Sequence, residues 1–168
     1  MPAKPANPKR SRLRLALPAT SANLGPAFDA AALAFDIHLK LEARPAATDS
    51  IVATGRDSAI CGAVDNHLIL TTYREVMRAN SQSPEPLALK IHNNIPIGKG
   101  CGSSAAARLA GIALANRYGK LRWTDAQIVG EASRREHHPD NASACWMGGL
   151  TVARVSGEAE AQVARIQP

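Results

Sequence analysis

Along residues 12–17 charged and apolar side chains alternate up to Pro18. They alternate again over 37–43, with Ile37, Leu39 and Leu41 set against His38, Lys40 and Glu42. A period of two marks a half-buried strand, because successive strand side chains point to opposite faces. Strands are therefore expected at both places. The segment 18–26 between them, with Pro18, Pro26, Gly25 and the small polar Thr20, Ser21 and Asn23, reads as a tight functional loop. Residues 50–55 predict a third strand. Over 66–80, Leu68, Ile69, Val76 and Met77 fit a helix opened by Asp65 or Asn66, and 81–86 breaks it. Period two returns where Leu87, Leu89 and Ile91 alternate with Ala88, Lys90 and His92. That strand feeds the loop 93–104, and Leu109, Ile112, Ala113 and Ala115 carry a helix on to Tyr118. A further helix is expected over 124–135, with Thr124 as N-cap and Gln127 three positions on. After a turn at His137, His138 and Pro139, residues 140–146 predict a short helix. Gly148 and Gly149 then introduce a strand over 150–155, and 161–166 is strand-like.

Composition narrows the class. With 168 residues, 45% of them hydrophobic, one domain with a real core is expected. The net charge of +6 is concentrated at the start: Lys4, Lys9, Arg10, Arg12 and Arg14 precede the first acid. Residues 1–14 therefore read as a basic, solvated arm and 15–168 as the domain. That domain lacks the strong positive field of a nucleic-acid binder, so no nucleic-acid partner is expected. Cys61, Cys101 and Cys145 are widely spaced, which excludes a disulfide framework or a structural zinc pattern and suits a reducing cytoplasm. No apolar run approaches the roughly 18 residues of a membrane helix, so no membrane partner is expected. Aromatics are only 4%, against base-stacking platforms, while frequent alanine favours close helix packing. Trp123 and Trp146 read as packing residues, and His38, His67 and His92 lack metal-binding spacing.

The chemistry concentrates at 93–104. Gly98, Gly100 and Gly102 let the backbone approach a ligand, and a helix starting near Ser103 aims unpaired N–H groups and a positive dipole end at it. An anion, most naturally a polyphosphate, is the expected guest. Ser103 and Ser104 add hydroxyls able to meet phosphate oxygens or a magnesium ion, and Lys99 adds charge. The loop is not a P-loop, because Lys99 is followed by glycine. Taken alone, it reads equally well as a glycine turn followed by a serine N-cap.

Residues 96–106, P-I-G-K-G-C-G-S-S-A-A, closely resemble the P-x-x-x-G-L-G-S-S-A-A motif of the GHMP small-molecule kinases, departing only at Cys101. Residues 17–29, L-P-A-T-S-A-N-L-G-P-A-F-D, resemble the first motif of the homoserine-kinase branch of that family, with Ala27 replacing a glycine. Glu136-His-His-Pro-Asp-Asn141, continuing to Gly148-Gly149-Leu150, is similar to the same branch's E-G-H-P-D-N and G-G-L segment, with His137 replacing glycine. The resemblance implies an α+β fold, the GHMP kinase N-terminal domain with a left-handed β-α-β unit and the C-terminal domain absent. It implies ATP-dependent, magnesium-requiring phosphorylation of the side-chain hydroxyl of L-homoserine, a step of threonine biosynthesis.

Carried over by position, Pro96, Gly98, Lys99, Gly100, Cys101, Gly102, Ser103 and Ser104 would wrap the ATP phosphates, with Asn66 near the adenine. Ser104 and Glu136 would hold magnesium, Glu131 being a rival for the carboxylate. Asn23, Asp29 and His138 would bind homoserine. Asn141 stands where several relatives place an aspartate base; an amide takes no proton at neutral pH, so catalysis would rest on positioning and charge neutralisation. Asp140 is a poorer candidate base. The family pattern adds a homodimer and a C-terminal half supplying substrate contacts. The alternatives are another GHMP kinase and a non-catalytic nucleotide-binding fragment.

Overall fold

The computed structural model describes residues 12–156 and 160–166. Most of the basic arm, residues 1–11, lies outside them. The chain folds as β1 (Leu13–Leu24), β2 (Ala27–Pro45), β3 (Ser50–Gly55), α1 (Ser58–Gly62), α2 (Leu68–Ala79), β4 (Leu87–Asn93), α3 (Ser103–Tyr118), α4 (Asp125–Glu136), α5 (Asp140–Met147), β5 (Leu150–Ser156) and β6 (Glu160–Ile166).

All six strands form one mixed sheet in the order β3-β4-β2-β5-β6, with β1 paired to β2. β3 and β4 run parallel, Ile51 opposite Leu89, and α1 and α2 make the crossover between them. The other pairs are antiparallel. β2, 19 residues long, is the spine: residues 39–45 pair with β4 and 31–33 with β5. Leu39, Leu41, Leu87, Leu89 and Ile91 fill the helix-facing side of the sheet, while Arg14, Lys40, Lys90 and His92 stand exposed on alternate positions.

Two expectations are corrected. Segment 18–26 is strand to Leu24, followed by a turn at Gly25 and Pro26. Among the described residues β1 pairs only with β2, so it is an edge strand there, and proline removes no ladder bond from the open side. The register with β2 slips between Pro18 and Thr20 and again between Ala22 and Leu24, and those slips absorb the turn-forming residues. The second correction concerns α2. His67, not Asp65 or Asn66, is its N-cap, and Asn66 sits before it at φ 54°.

α3 is the central helix. Its buried residues include Ala105, Ala106 and every position from Leu109 to Ala115, so it is covered on all sides and not along one stripe. Small residues allow this. A Cβ on Gly111 would lie 2.6 Å from the Ile69 carbonyl oxygen and 2.7 Å from the Thr72 Cβ, so α2 and α3 touch backbone to backbone there. α4 opens with the capping box read from its sequence: Thr124 Oγ1 accepts from Gln127 N–H at 3.3 Å, and the Gln127 side chain accepts from Thr124 N–H at 3.0 Å. Trp123 and Trp146 pack against the core, and the Trp146 indole donates to Asp125 Oδ1 at 2.8 Å. No helix among the described residues is long and apolar enough to cross a membrane.

Candidate active site

β4 delivers the chain to the glycine loop, and Asn93 fixes the exit. Its side-chain amide donates to the carbonyls of Arg56 and Ile95 at 3.1 and 2.9 Å, and its Oδ1 accepts from Ile95 N–H at 3.1 Å. Pro96 follows, half-buried, and Gly98, Lys99 and Gly100 are exposed. Gly98 and Gly100 both have φ 70°, and a Cβ on either would meet no atom within 4 Å. Gly98 and Gly100 thus leave the loop backbone uncovered, in left-handed turns in front of a helix. Its N-cap is Gly102 at φ 69°, with no side-chain cap, so Ser103 is the first helical residue and the serine N-cap does not form. The first N–H groups of α3 keep their hydrogen-bonding capacity toward the loop, which suits a polyphosphate.

Beside the loop lies a cavity of about 650 Å³, lined by Ile60, Cys61, Asn66, His67, Leu68 and Ile97 and reaching Gly98, Ser103 and Ser104. His67 Nε2 donates to the Cys61 carbonyl at 3.2 Å, leaving its buried Nδ1 without a partner among the described residues. Burial pushes the His67 pKa down, against the smaller opposing effect of that hydrogen bond. Burial also raises the Cys61 thiol, and that of Cys145 to about 12.

The end of α4 closes on the start of α3. Ser104 Oγ donates to Glu136 Oε1 at 2.6 Å, and Arg108 Nε donates to the same oxygen at 2.5 Å. Glu136 thus has a loop hydroxyl at hand, the pairing of a neutral and an anionic oxygen that a hard divalent cation takes. Glu131 does not: its carboxylate is held by Arg134 and by Arg135 Nε, the latter at 2.7 Å, and it is buried instead of solvated.

α4 ends at His137 in the left-handed region, φ 70°, where the resembling motif has glycine. Position 27, the other glycine of the pattern, has no positive φ here, so Ala27 sits unstrained at the start of β2. The turn at His137 brings in α5. Asn141 Oδ1 accepts from Thr20 Oγ1 at 2.6 Å, and Thr20 N–H donates to the Cys101 carbonyl at 3.1 Å. Gly102 is pressed against both partners: a Cβ there would lie 2.0 Å from Thr20 Oγ1 and 3.2 Å from Asn141 Oδ1. Thr20, fully buried, is the residue sequence reasoning passed over, although it lies inside the first quoted motif.

Asn23 and Asp29, both exposed, flank the Gly25 turn at φ 59° and 54°, and Asn23 Oδ1 accepts from Asp29 N–H at 3.1 Å. Asp29 offers a carboxylate oxygen within 4.8 Å of His138 and Asp140 donor atoms. The structure therefore gathers Asn23, Asp29, His138 and Asn141 on one side of the loop, and Ser104 with Glu136 at its helical end. Lys99 makes no side-chain contact with either group among the described residues.

Known proteins resemble the chain over most of its length. Residues 67–149 match the GHMP kinases N terminal domain. A homoserine kinase from Solibacter usitatus is 41% identical over 156 residues, 93% of this chain and 51% of the relative. One from Thermus thermophilus is 41% identical over 140 residues, 83% of this chain and 47% of the relative. A solved Listeria monocytogenes structure carrying the homoserine kinase name superposes with TM-score 0.77 at 32% identity, over 94% of this chain and 54% of that one. Methanococcus jannaschii mevalonate kinase, 16% identical with TM-score 0.65 over 96% of this chain and 57% of that one, shares the fold. The chain spans about half the length of the curated relatives it matches. The chain thus has the fold of the GHMP kinase N-terminal domain and is similar to homoserine kinases along most of its own length.

Proposed function

We propose that this chain binds ATP and takes part in transferring its γ-phosphoryl group to the side-chain hydroxyl of L-homoserine, giving O-phospho-L-homoserine. The observation that carries the reading is the meeting of three separate segments at Gly102, where Thr20 and Asn141 both pack against the N-terminus of α3. Nucleotide phosphate and acceptor hydroxyl need one such common point.

In this reading the loop from Gly98 to Ser104, backed by Pro96 and Cys101, holds the phosphates through backbone N–H groups, and Lys99 adds charge. The cavity beside Asn66 takes the base. Magnesium would be held by Ser104 and Glu136, whose hydroxyl and carboxylate oxygens already share one spot. When bound it would neutralise charge on the phosphate oxygens. Asn23, Asp29 and His138 grip the amino acid. The acceptor oxygen forms the new bond to phosphorus as the bond to the β–γ bridging oxygen breaks, ADP leaves, and the hydroxyl proton passes to an oxygen of the transferred phosphoryl group. Asn141 orients the acceptor and takes no proton, so rate acceleration rests on placement and charge neutralisation. The homoserine kinase relatives favour this acceptor over others of the family. The three unpaired cysteines fit a reducing cytoplasm. A homodimer and a further half-length of chain belong to the same proposal.

The test is ADP release from magnesium-ATP with and without homoserine, beside an ATP titration. Ser104→Ala and Glu136→Gln should each weaken magnesium-ATP binding by about tenfold, the weight of one charge-assisted contact. Homoserine-dependent turnover supports the reading. ATP binding without turnover supports a nucleotide-binding portion that needs its other half. Unchanged affinity in both variants removes the phosphate-site assignment.

A further inference from the structure

We infer that Asp140 is a positioning residue that sets the orientation and tautomer of His138 and the pose of Asn141, an inference that rests on the proposed homoserine site. Asp140 is the first residue of α5 and fully buried. Three donors converge on its Oδ1: His138 Nδ1 at 2.6 Å, Asn141 N–H at 2.6 Å and Asn141 Nδ2 at 3.3 Å. Its Oδ2 is buried with no partner among the described residues.

An acid suits the first turn of a helix, but full burial weighs against this one. Burying a carboxylate is costly even after relaxation, and an apolar residue could begin α5 without that cost. A carboxylate accepts and does not donate, so the hydrogen bond requires the proton on His138 Nδ1. In the neutral ring Nε2 is then a hydrogen-bond acceptor, and Asp29 lies close by. The same oxygen holds Asn141 from one side while Thr20 Oγ1 holds its amide oxygen from the other. The two residues assigned to the acceptor end are thereby fixed by one anion that never reaches the substrate. Its backbone is braced as well: the Asp140 carbonyl accepts from Ser143 Oγ at 2.9 Å, and that hydroxyl lies 2.8 Å from Thr151 Oγ1.

The experiment is long-range ¹H–¹⁵N correlation on the full chain with labelled histidine at about pH 8.5, where free imidazole is neutral. His138→Gln assigns the signal among the five histidines. His138 should carry its proton on Nδ1, and Asp140→Asn should move the population toward the Nε2 form. Homoserine affinity by calorimetry should fall by about tenfold in Asp140→Asn, while ATP affinity stays within about twofold. A proton on Nε2 of the unmodified chain overturns the inference, as does an Asp140→Asn variant with unchanged tautomer and homoserine affinity. Should Asp140→Asn not fold, the unmodified spectrum and Asp140→Glu, which displaces the carboxylate, decide the matter. If the unmodified chain binds no homoserine while the tautomer still responds to Asp140→Asn, this chain alone does not form the acceptor site and the positioning role stands.

Discussion

Gly102→Ala tests whether the motifs truly converge. Two costs are built into the structure. A side chain at φ 69° occupies the left-handed region, worth about 1–2 kcal/mol against a non-glycine residue. Its Cβ would also lie 2.0 Å from Thr20 Oγ1 and 3.2 Å from Asn141 Oδ1. Overpacking of that kind costs about 1–3 kcal/mol. The expected loss is about 2–5 kcal/mol, read from urea unfolding followed by circular dichroism. Gly100→Ala is the control, because it shares the backbone conformation, φ 70°, and meets no atom within 4 Å; it should show only the first cost. Thr20→Ala removes the clashing hydroxyl but leaves Asn141 Oδ1 short of a partner, at about 1–3 kcal/mol. In the double variant the 2.0 Å clash is gone and only the 3.2 Å approaches remain, so the combined loss should fall short of the sum of the two single losses by about 1–3 kcal/mol. Additivity within about 0.5 kcal/mol would refute the contact, as would equal losses for the Gly100 and Gly102 variants.

His137→Gly relieves the left-handed C-cap of α4 and should stabilise by up to about 1 kcal/mol, after the greater chain entropy of glycine in the unfolded state is set against the strain removed. A lower urea midpoint would contradict this. His67 has its pKa held below 6.5 by burial, so the unfolded chain binds this proton more readily. Its contribution is fully present above about pH 6.5 and is lost as pH falls through and below that value. Unfolding measured from about pH 8 to 5.5 should therefore show a steeper loss than in His67→Gln, and parallel curves would exclude His67 as the source.

Most of the scaffold was legible because its signals are local. Alternation over 37–43 and 87–92 survives in β2 and β4, since one face of the sheet is packed and the other open. The capping box at Thr124 needed two residues three apart. What stayed hidden depends on distant partners. Pro18 and Gly25 punctuate a sequence, yet whether proline interrupts a strand turns on whether the strand lies at an edge, and β1 lies there only because β2 takes β4 and β5 on its other side. Residues 27–36 lack clean alternation and were found by pairing, not by pattern. The short α1 gave too few positions to show a period. At the site, the loop glycines and Ser104 were legible as types suited to phosphate, whereas Thr20 and Arg108 acquire meaning only through partners 121 and 28 residues away.

The burial of α3 on every side has a mechanical consequence. A helix pinned backbone to backbone against α2 at Gly111, and sheathed by the sheet and α4 elsewhere, has no soft direction in which to slide or roll. Its N-terminal end then behaves as a fixed benchmark against which other parts are aligned. In the proposed function the end of this helix that would meet phosphate is therefore located by a backbone contact about two turns away.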